Sequence, residues 1–269
     1  MERTRTEAIV EALDAPGRPW LLLFDFDGTL AEFAPTPELA RLPVPRRALL
    51  TALAARPRVT VGFVSGRRLD DLRQRLKVEG PIFLSGMHGQ EIVGPDCSFR
   101  HPALNDAREA LSLVRPLLAN GLSGMRGVIL EDKGVSLAVH WRQASPDDHA
   151  LVERLVLELA RASLDRRQLR LMRGKAICEL LPATPWNKGD AAHWIRERVA
   201  ERLGEPPAVL YAGDDITDED AIVALGASAV TVAVGDRPSA ARFQLDDPQA
   251  VERLLERLVD CAKPEMTPA

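Results

Sequence analysis

Short apolar runs, each closed by glycine or aspartate, recur along the chain: WLLLFDFDG from Trp20, RVTVGFVSG from Arg58, PIFLSG from Pro81, PAVLYAGDD from Pro207 and AVTVAVG from Ala229. Their shortness and their Val, Leu and Phe content predict strands buried on both faces. Helix-period patterns stand between them, over Pro45–Arg56, Arg67–Leu76, Lys188–Leu203 and Asp218–Leu225. Strand–helix alternation of this kind predicts a mostly parallel sheet with helices on both sides.

The middle of the chain follows another rhythm. GVILEDKG and VSLAVHWRQ read as two strands joined by a turn at Lys133–Gly134, a helical pattern follows from Asp147 to Ala162, and LRLMRGKAICELLP reads as a further strand pair. This order belongs to an α+β module, and Pro102 and the Pro182–Pro185 stretch offer hinges on either side. The expectation is an α/β protein: a doubly wound, Rossmann-like parallel-sheet core of residues 1–101 and 183–269, with an inserted α+β cap domain at 102–182.

Composition narrows the partners. With 269 residues, 46% hydrophobic and 28% charged, the chain has the make-up of a globular protein. Its net charge of -4 and dispersed basic residues offer no field for nucleic acid or an anionic membrane, and a single tyrosine, Tyr211, argues against base stacking. The expected partner is a small anionic molecule met by a local positive site. Cys97, Cys178 and Cys261 form no CxxC pair, so neither a disulfide framework nor a zinc site is expected. The first nineteen residues hold no run of signal-peptide length. No segment approaches the roughly 18 apolar residues that span a bilayer, which makes the cytoplasm the expected location. Nothing in the sequence fixes an oligomeric state, and a monomer is compatible with it.

The strongest chemical signal is Asp25-Phe26-Asp27-Gly28-Thr29-Leu30, directly after an apolar strand, where open α/β sheets place their sites. Asp25 and Asp27 are two apart, so one can attack phosphorus while the other protonates the leaving oxygen. Gly28 permits a sharp turn, and Thr29 can hydrogen-bond a carboxylate or phosphate. A second carboxylate run, Gly213 to Asp220, also follows a strand. Hard oxygen ligands in such number suit magnesium, with Asp214 and Asp215 among the candidates, while Glu219 and Asp220 read as a solvated helix start. Ser65-Gly66-Arg67 ends a strand and opens a helix, which makes an anion site. Lys188, opening the helix that re-enters the core, can neutralise both a phosphate and the nucleophile.

In their order, DxDGT, SGR, KG and GDD, these pieces resemble the haloacid dehalogenase superfamily of phosphatases. The resemblance covers Trp20–Thr29, Val59–Arg67 and Asn187–Asp218. It implies that Asp25 and Asp214 face one magnesium ion, with the Asp27 carbonyl as a third protein ligand. It also implies that Asp27 is the general acid, so that the aspartyl-phosphate on Asp25 hydrolyses.

The insertion carries polar residues that are unusual for strands. Glu131, Asp132 and Lys133 close one strand, His140 and Arg142 lie two apart on the next, and Lys175 and Glu179 lie four apart on the last. With DFDGTLAEF, SGR, GMHGQE, EDKGVSLAVHWR, GKAICEL, NKG and GDDITDED, the chain is similar to the trehalose-6-phosphate phosphatases of trehalose biosynthesis. That similarity implies that Arg67, His88, Glu131, Lys133, Lys175 and Glu179 lie near the disaccharide or its phosphate, with His140 and Arg142 supporting the cap sheet. Trp141 stands where the family pattern has tyrosine. Phosphatases of sucrose phosphate, glucosylglycerol phosphate or mannosyl-phosphoglycerate are the nearest alternatives.

Overall fold

A computed structural model of the protein describes residues 4–13, 17–34, 36–174 and 176–262. In chain order come α1 (Arg5–Leu13), β1 (Trp20–Phe24), α2 (Val44–Ala54), β2 (Val59–Val64), α3 (Leu69–Leu76), β3 (Phe83–Gly86), β4 (Glu91–Val93) and β5 (Ser98–Arg100). Then come α4 (Ala103–Gly121), β6 (Ile129–Asp132), β7 (Leu137–His140), α5 (Pro146–Asp165), β8 (Leu169–Gly174) and β9 (Ile177–Pro182). The last group is α6 (Lys188–Leu203), β10 (Ala208–Gly213), α7 (Ile216–Leu225), β11 (Val230–Val234), β12 (Phe243–Leu245) and α8 (Pro248–Cys261). These elements form two compact units: Met1–Phe99 with Trp186–Ala269, and Arg100–Pro185.

The first unit is built on an eight-stranded sheet in the order β12-β11-β10-β1-β2-β3-β4-β5. Its strands are parallel from β12 to β3, and β4 runs antiparallel to β3. Side chains alternate between two cores. Leu22 and Phe24 pack with Ile9, Leu50, Leu72 and Leu254 of α1, α2, α3 and α8. Leu21 and Leu23 face the other way, against Ala191, Ile195 and Val199 of α6 and Ala221 and Ile222 of α7. With apolar residues needed on both faces, β1 can be apolar throughout, as its sequence is.

Register decides where the chemistry sits. Phe24 stands opposite Ala212 of β10 on one side and Phe63 of β2 on the other. The residues that end or follow these strands, Asp25, Gly213–Asp214 and Val64–Ser65, therefore lie together at the carboxyl end of the sheet.

The second unit is a four-stranded antiparallel sheet, β6-β7-β9-β8, with α4 and α5 on one face. Val139, Leu137, Cys178 and Leu180 meet Ala110, Val114, Val152 and Val156 of the two helices. Pairing of Glu131 with Ala138, and of Ala138 with Glu179, sets the two glutamates in one row on the opposite face. Burial raises the Cys178 thiol to about 12, so it is an inert core residue.

The doubly wound sheet with a separate α+β insertion matches the fold expected from the alternation of patterns. Every predicted strand is present, and α6 spans its predicted residues. Helices α2 and α5 start one residue earlier than predicted, α3 starts later, at Leu69, because Arg68 is extended as its N-cap, and α7 earlier, at Ile216, because Asp215 caps it. Helix α4 was not predicted, since Pro116 interrupts its pattern and Leu113 and Leu117 are exposed. Among the described residues no helix is long and apolar enough to cross a membrane.

Candidate active site

Asp25 is the first residue beyond β1, tied to the sheet by its N–H to the Ala212 carbonyl at 2.9 Å. Its side chain is almost wholly buried and meets the ammonium of Lys188 at 2.8 Å. Lys188 begins α6, whose start is fixed by a capping box between Asn187 and Asp190. The same ammonium donates to Asp218 Oδ1 at 2.8 Å, and that oxygen also accepts from the Tyr211 hydroxyl at 2.6 Å. Asp214 accepts from the Thr29 hydroxyl at 3.1 Å. One carboxylate oxygen each of Asp25, Asp214 and Asp218 lies within 4.8 Å of the others.

Three carboxylates thus cluster about one ammonium, which bonds Asp25 and Asp218. Burial pushes the Asp25 carboxyl well above its ordinary value, and Asp218 and Asp214 add to this against the pull of Lys188. Burial, and then the charge of Asp218, raises Asp214 to about 7. Burial works against the Lys188 cation, yet Asp218 and Asp25 outweigh it and hold the lysine protonated. Burial and the same carboxylates raise the Tyr211 hydroxyl well above its ordinary value, so it serves as a donor. The cluster is short of positive charge, and its donors are hard oxygens, the set that suits a small divalent cation.

Asp27 lies on the turn that follows. Gly28 has φ of 77° and its N–H bonds the Ala31 carbonyl at 2.8 Å; a side chain there would run into the Asp214 carboxylate. Both Asp27 oxygens accept from Arg67, from Nε and Nη2, at 2.6 Å each. Arg67 lies over the Phe26 ring at 5.4 Å and its third nitrogen reaches Asp71 at 2.7 Å.

Ser65 follows β2, its N–H on the Ser85 carbonyl and its hydroxyl accepting from the Arg67 N–H at 3.2 Å. Met87 and His88 both have φ of 56°, and their N–H groups bond the carbonyls of Arg67 and Ser65. The His88 ring lies against Gly66, where an added Cβ would come within 2.7 Å of it. Gly89 in turn packs on the Asn187 carbonyl, and its own carbonyl accepts from the Trp186 indole at 2.7 Å. The turn 87–89 therefore braces the Ser65–Arg67 loop and the start of α6 together.

In the inserted unit Glu179 is buried and accepts from Ser136 at 2.6 Å and Lys133 at 3.2 Å. Glu131 is paired with His140 Nε2 at 2.8 Å. Arg142 lies beyond the end of β7 and is exposed. Lys175 lies outside the described residues.

The structure thus brings Asp25, Thr29, Asp214 and Lys188 together, joins Asp27 to Arg67, stacks Gly66 on His88, and groups Lys133 with Glu179. Asp215 is exposed and accepts from the Ile216 N–H as the cap of α7, outside the three-carboxylate cluster. Asp218 fills that cluster instead; as the N3 residue of the capping box its carboxylate points back into the fold. In the sequence Asp218 only opens the predicted helix, and nothing in the acidic run sets it apart as a member of the cluster. Tyr211 and Asp71 carried no sequence signal. Glu219, read as a solvated helix start, instead holds Arg237, Ser239 and the Ala240 N–H.

The family model described as trehalose-phosphatase matches residues 23–249. A trehalose-phosphate phosphatase of Mycobacterium avium is 37% identical over 91% of this chain and 63% of its own length. The chain spans from 18% to 66% of the length of the curated relatives it matches. Among solved structures, the C-terminal domain of Candida albicans trehalose-6-phosphate phosphatase superposes with a TM-score of 0.76 at 24% identity, covering 95% of this chain and 96% of that one. A haloacid dehalogenase-like hydrolase from Bacteroides thetaiotaomicron, at 0.61 and 16% identity, covers 90% of this chain and 100% of its own. These last two likenesses are of fold alone, and the fold is the haloacid dehalogenase-like one. With the match running from inside β1 to the start of α8, through both carboxylate motifs and the insertion, the chain belongs to the trehalose-phosphatase family.

Proposed function

We propose that the chain is a magnesium-dependent phosphatase that hydrolyses trehalose 6-phosphate to trehalose and phosphate through an aspartyl-phosphate on Asp25. The observation that carries this reading is the buried Asp25–Lys188 pair at 2.8 Å, within a three-carboxylate cluster and two residues from a second aspartate. A nucleophile needs its carboxylate aimed and its charge partly offset as the phosphate dianion approaches, and Lys188 does both.

In the first step an Asp25 oxygen forms a bond to phosphorus while the bond from phosphorus to the sugar oxygen breaks, and the Asp27 carboxyl gives its proton to that oxygen. In the second step the Asp27 carboxylate takes a proton from water, whose oxygen attacks phosphorus and frees Asp25 with release of phosphate. Ser65, Gly66, Thr29 and Lys188 receive the phosphoryl oxygens, with Arg67 and His88 bordering them. Magnesium, held by Asp25, the Asp27 carbonyl and Asp214 with Asp215 beside them, would spread the charge of the transferring phosphoryl group. Asp218 adds a carboxylate to that set and keeps Lys188 in place.

The core of 1–101 and 183–269 carries this chemistry, and the cap of 102–182 selects the sugar. Glu131, Lys133, Lys175 and Glu179 supply the donors and acceptors that a polyhydroxy disaccharide needs. A small-molecule sugar phosphate is the partner, and the cytoplasm the setting.

Phosphate release from trehalose 6-phosphate, with and without magnesium, for wild type and Asp25→Asn, tests the proposal. Magnesium-dependent release abolished by the substitution supports it. Release from sucrose phosphate, glucosylglycerol phosphate or mannosyl-phosphoglycerate alone would keep the mechanism and overturn the substrate. Folded protein without activity on any of these esters would overturn both.

A further inference from the structure

Arg67 is spent on two carboxylates at once. Its Nε and Nη2 hold both oxygens of Asp27 at 2.6 Å, and its Nη1 holds Asp71, in the first turn of α3, at 2.7 Å. Asp71 is pinned in turn by Arg75, one turn further along: Nε reaches its two oxygens at 2.8 and 2.7 Å, and Nη2 reaches Oδ1 at 2.6 Å. The remaining nitrogen of Arg75 donates to the carbonyls of Glu38 at 2.9 Å and Ala40 at 3.0 Å. Charges alternate along this chain, Asp27–Arg67–Asp71–Arg75, and it ends on backbone.

Both arginine side chains are 11% exposed, whereas Asp27 is 37% exposed. Asp71 is 32% exposed, so the two guanidinium groups are the enclosed members of the chain and each carboxylate keeps a side open to solvent. Guanidinium–carboxylate bonds with both oxygens engaged fix the plane of the carboxyl as well as its position. Each Asp27 oxygen still keeps an outward lone pair for a proton. Surface arginine–aspartate pairs on a helix contribute little by themselves. Here the pairs are stacked end to end and the last is tied to main chain, so the arrangement constrains direction.

We infer that Asp71, backed by Arg75, is a positioning residue that aims the Asp27 carboxyl through Arg67 at the oxygen leaving phosphorus. This rests on the reading of Asp27 as general acid. Arg67 then acts through Asp27, with three of its N–H donors committed to Asp27 and Asp71.

The test separates leaving groups. A sugar alkoxide needs its proton as the phosphorus–oxygen bond breaks, whereas 2,4-dinitrophenolate leaves without one. Single-turnover release of trehalose from trehalose 6-phosphate and of dinitrophenolate from 2,4-dinitrophenyl phosphate would be measured in magnesium for wild type and Asp71→Ala. The expected result is a fall of roughly 10-fold for the sugar ester, a part of what general acid catalysis supplies, with the aryl ester within about 2-fold of wild type. Arg75→Met, which leaves Asp71 free to turn, should give a smaller fall of the same selective kind, and it decides the matter if Asp71→Ala does not fold. Equal losses on both esters, or none on either, would overturn the inference while leaving the phosphatase reading intact. Wild-type protein inactive on both esters would overturn that reading and this one with it.

Discussion

The ammonium of Lys188 lies 2.8 Å from a carboxylate oxygen of Asp25, and both side chains are nearly closed off from solvent. Lys188 is also the cation shared with Asp218 in the three-carboxylate cluster. Removing one partner of a buried pair leaves charge uncompensated and costs about 3–5 kcal/mol. Lys188→Met is expected to lose that much in denaturant unfolding of the metal-free protein, together with its phosphatase activity. Magnesium should raise the melting temperature of the variant more than that of wild type.

Asp214 gives a pH dependence of definite sign. Its carboxyl rises from 3.8 to about 7 in the fold, chiefly by burial. Between these values the unfolded chain has already lost the proton that the folded chain keeps, so this group's contribution to stability falls as pH rises. The contribution is full below pH 4 and gone above pH 7. Asp214→Asn removes the titration. In metal-free buffer its stability relative to wild type should therefore grow from pH 4 to pH 7 and then level off, as read from urea midpoints at half-unit steps.

Gly28 joins the two carboxylate motifs by close approach. Its φ of 77° and the position of the Asp214 carboxylate leave no room for a methyl group, which would also come within 2.7 Å of the Phe33 ring. Gly28→Ala should cost about 1–3 kcal/mol through backbone strain. It should also abolish the magnesium-induced rise in melting temperature, because Asp214 must move. A variant that still shows the full rise would disprove this account of the turn.

Arg46 secures the same loop from beneath. It is buried on α2 and donates to the Leu30 carbonyl at 2.8 Å, to Glu32 at 2.8 Å and to Glu252 of α8 at 2.9 Å. Its carboxylate partners are partly exposed, so solvent would recover some of the loss in Arg46→Met. We expect a destabilisation of about 3 kcal/mol, near the low end for a broken buried pair. The midpoint of guanidinium unfolding measures it.

In the inserted unit, Glu179→Gln keeps the size and one acceptor while removing the charge that Lys133 meets. If Glu179 orders the sugar-binding face, KM for trehalose 6-phosphate should rise by roughly 10-fold with kcat less affected, the signature of lost substrate binding. A fall in kcat alone would speak against that role.

Much of this was legible in the sequence. Strands with apolar residues at every position announce burial on both faces, and DFDGT, SGR, NKG and GDD mark strand ends and helix starts by glycine and capping chemistry. Once β1 is known to pair with β10 and β2, those local signals fall at the carboxyl end of the sheet. What could not be read were relations across long chain distances. Asp218 looked like one more acid in a helix start, yet its partners are Tyr211, seven residues before it, and Lys188, thirty before it. Asp71 carried no signal of its own and is the middle of an ion chain that reaches back to Asp27. Asp215 and Asp218 have the same composition and neighbourhood in sequence, and only the helical turn between them decides that one faces solvent and the other the fold.

The Phe99 and Trp186 rings stack at 4.5 Å, and these two residues stand where the first unit is interrupted. Within the second unit, His101 and Thr184 near its two ends are bonded at 3.1 Å. A segment of 86 residues, 100–185, therefore begins and ends at neighbouring points and meets the core's folding problem as a single closed loop. Because closure entropy grows only with the logarithm of loop length, additions or deletions inside such a segment burden the core little. The face that carries Glu131 and Glu179 is therefore free to vary in length and sequence without disturbing the sheet and its carboxylates.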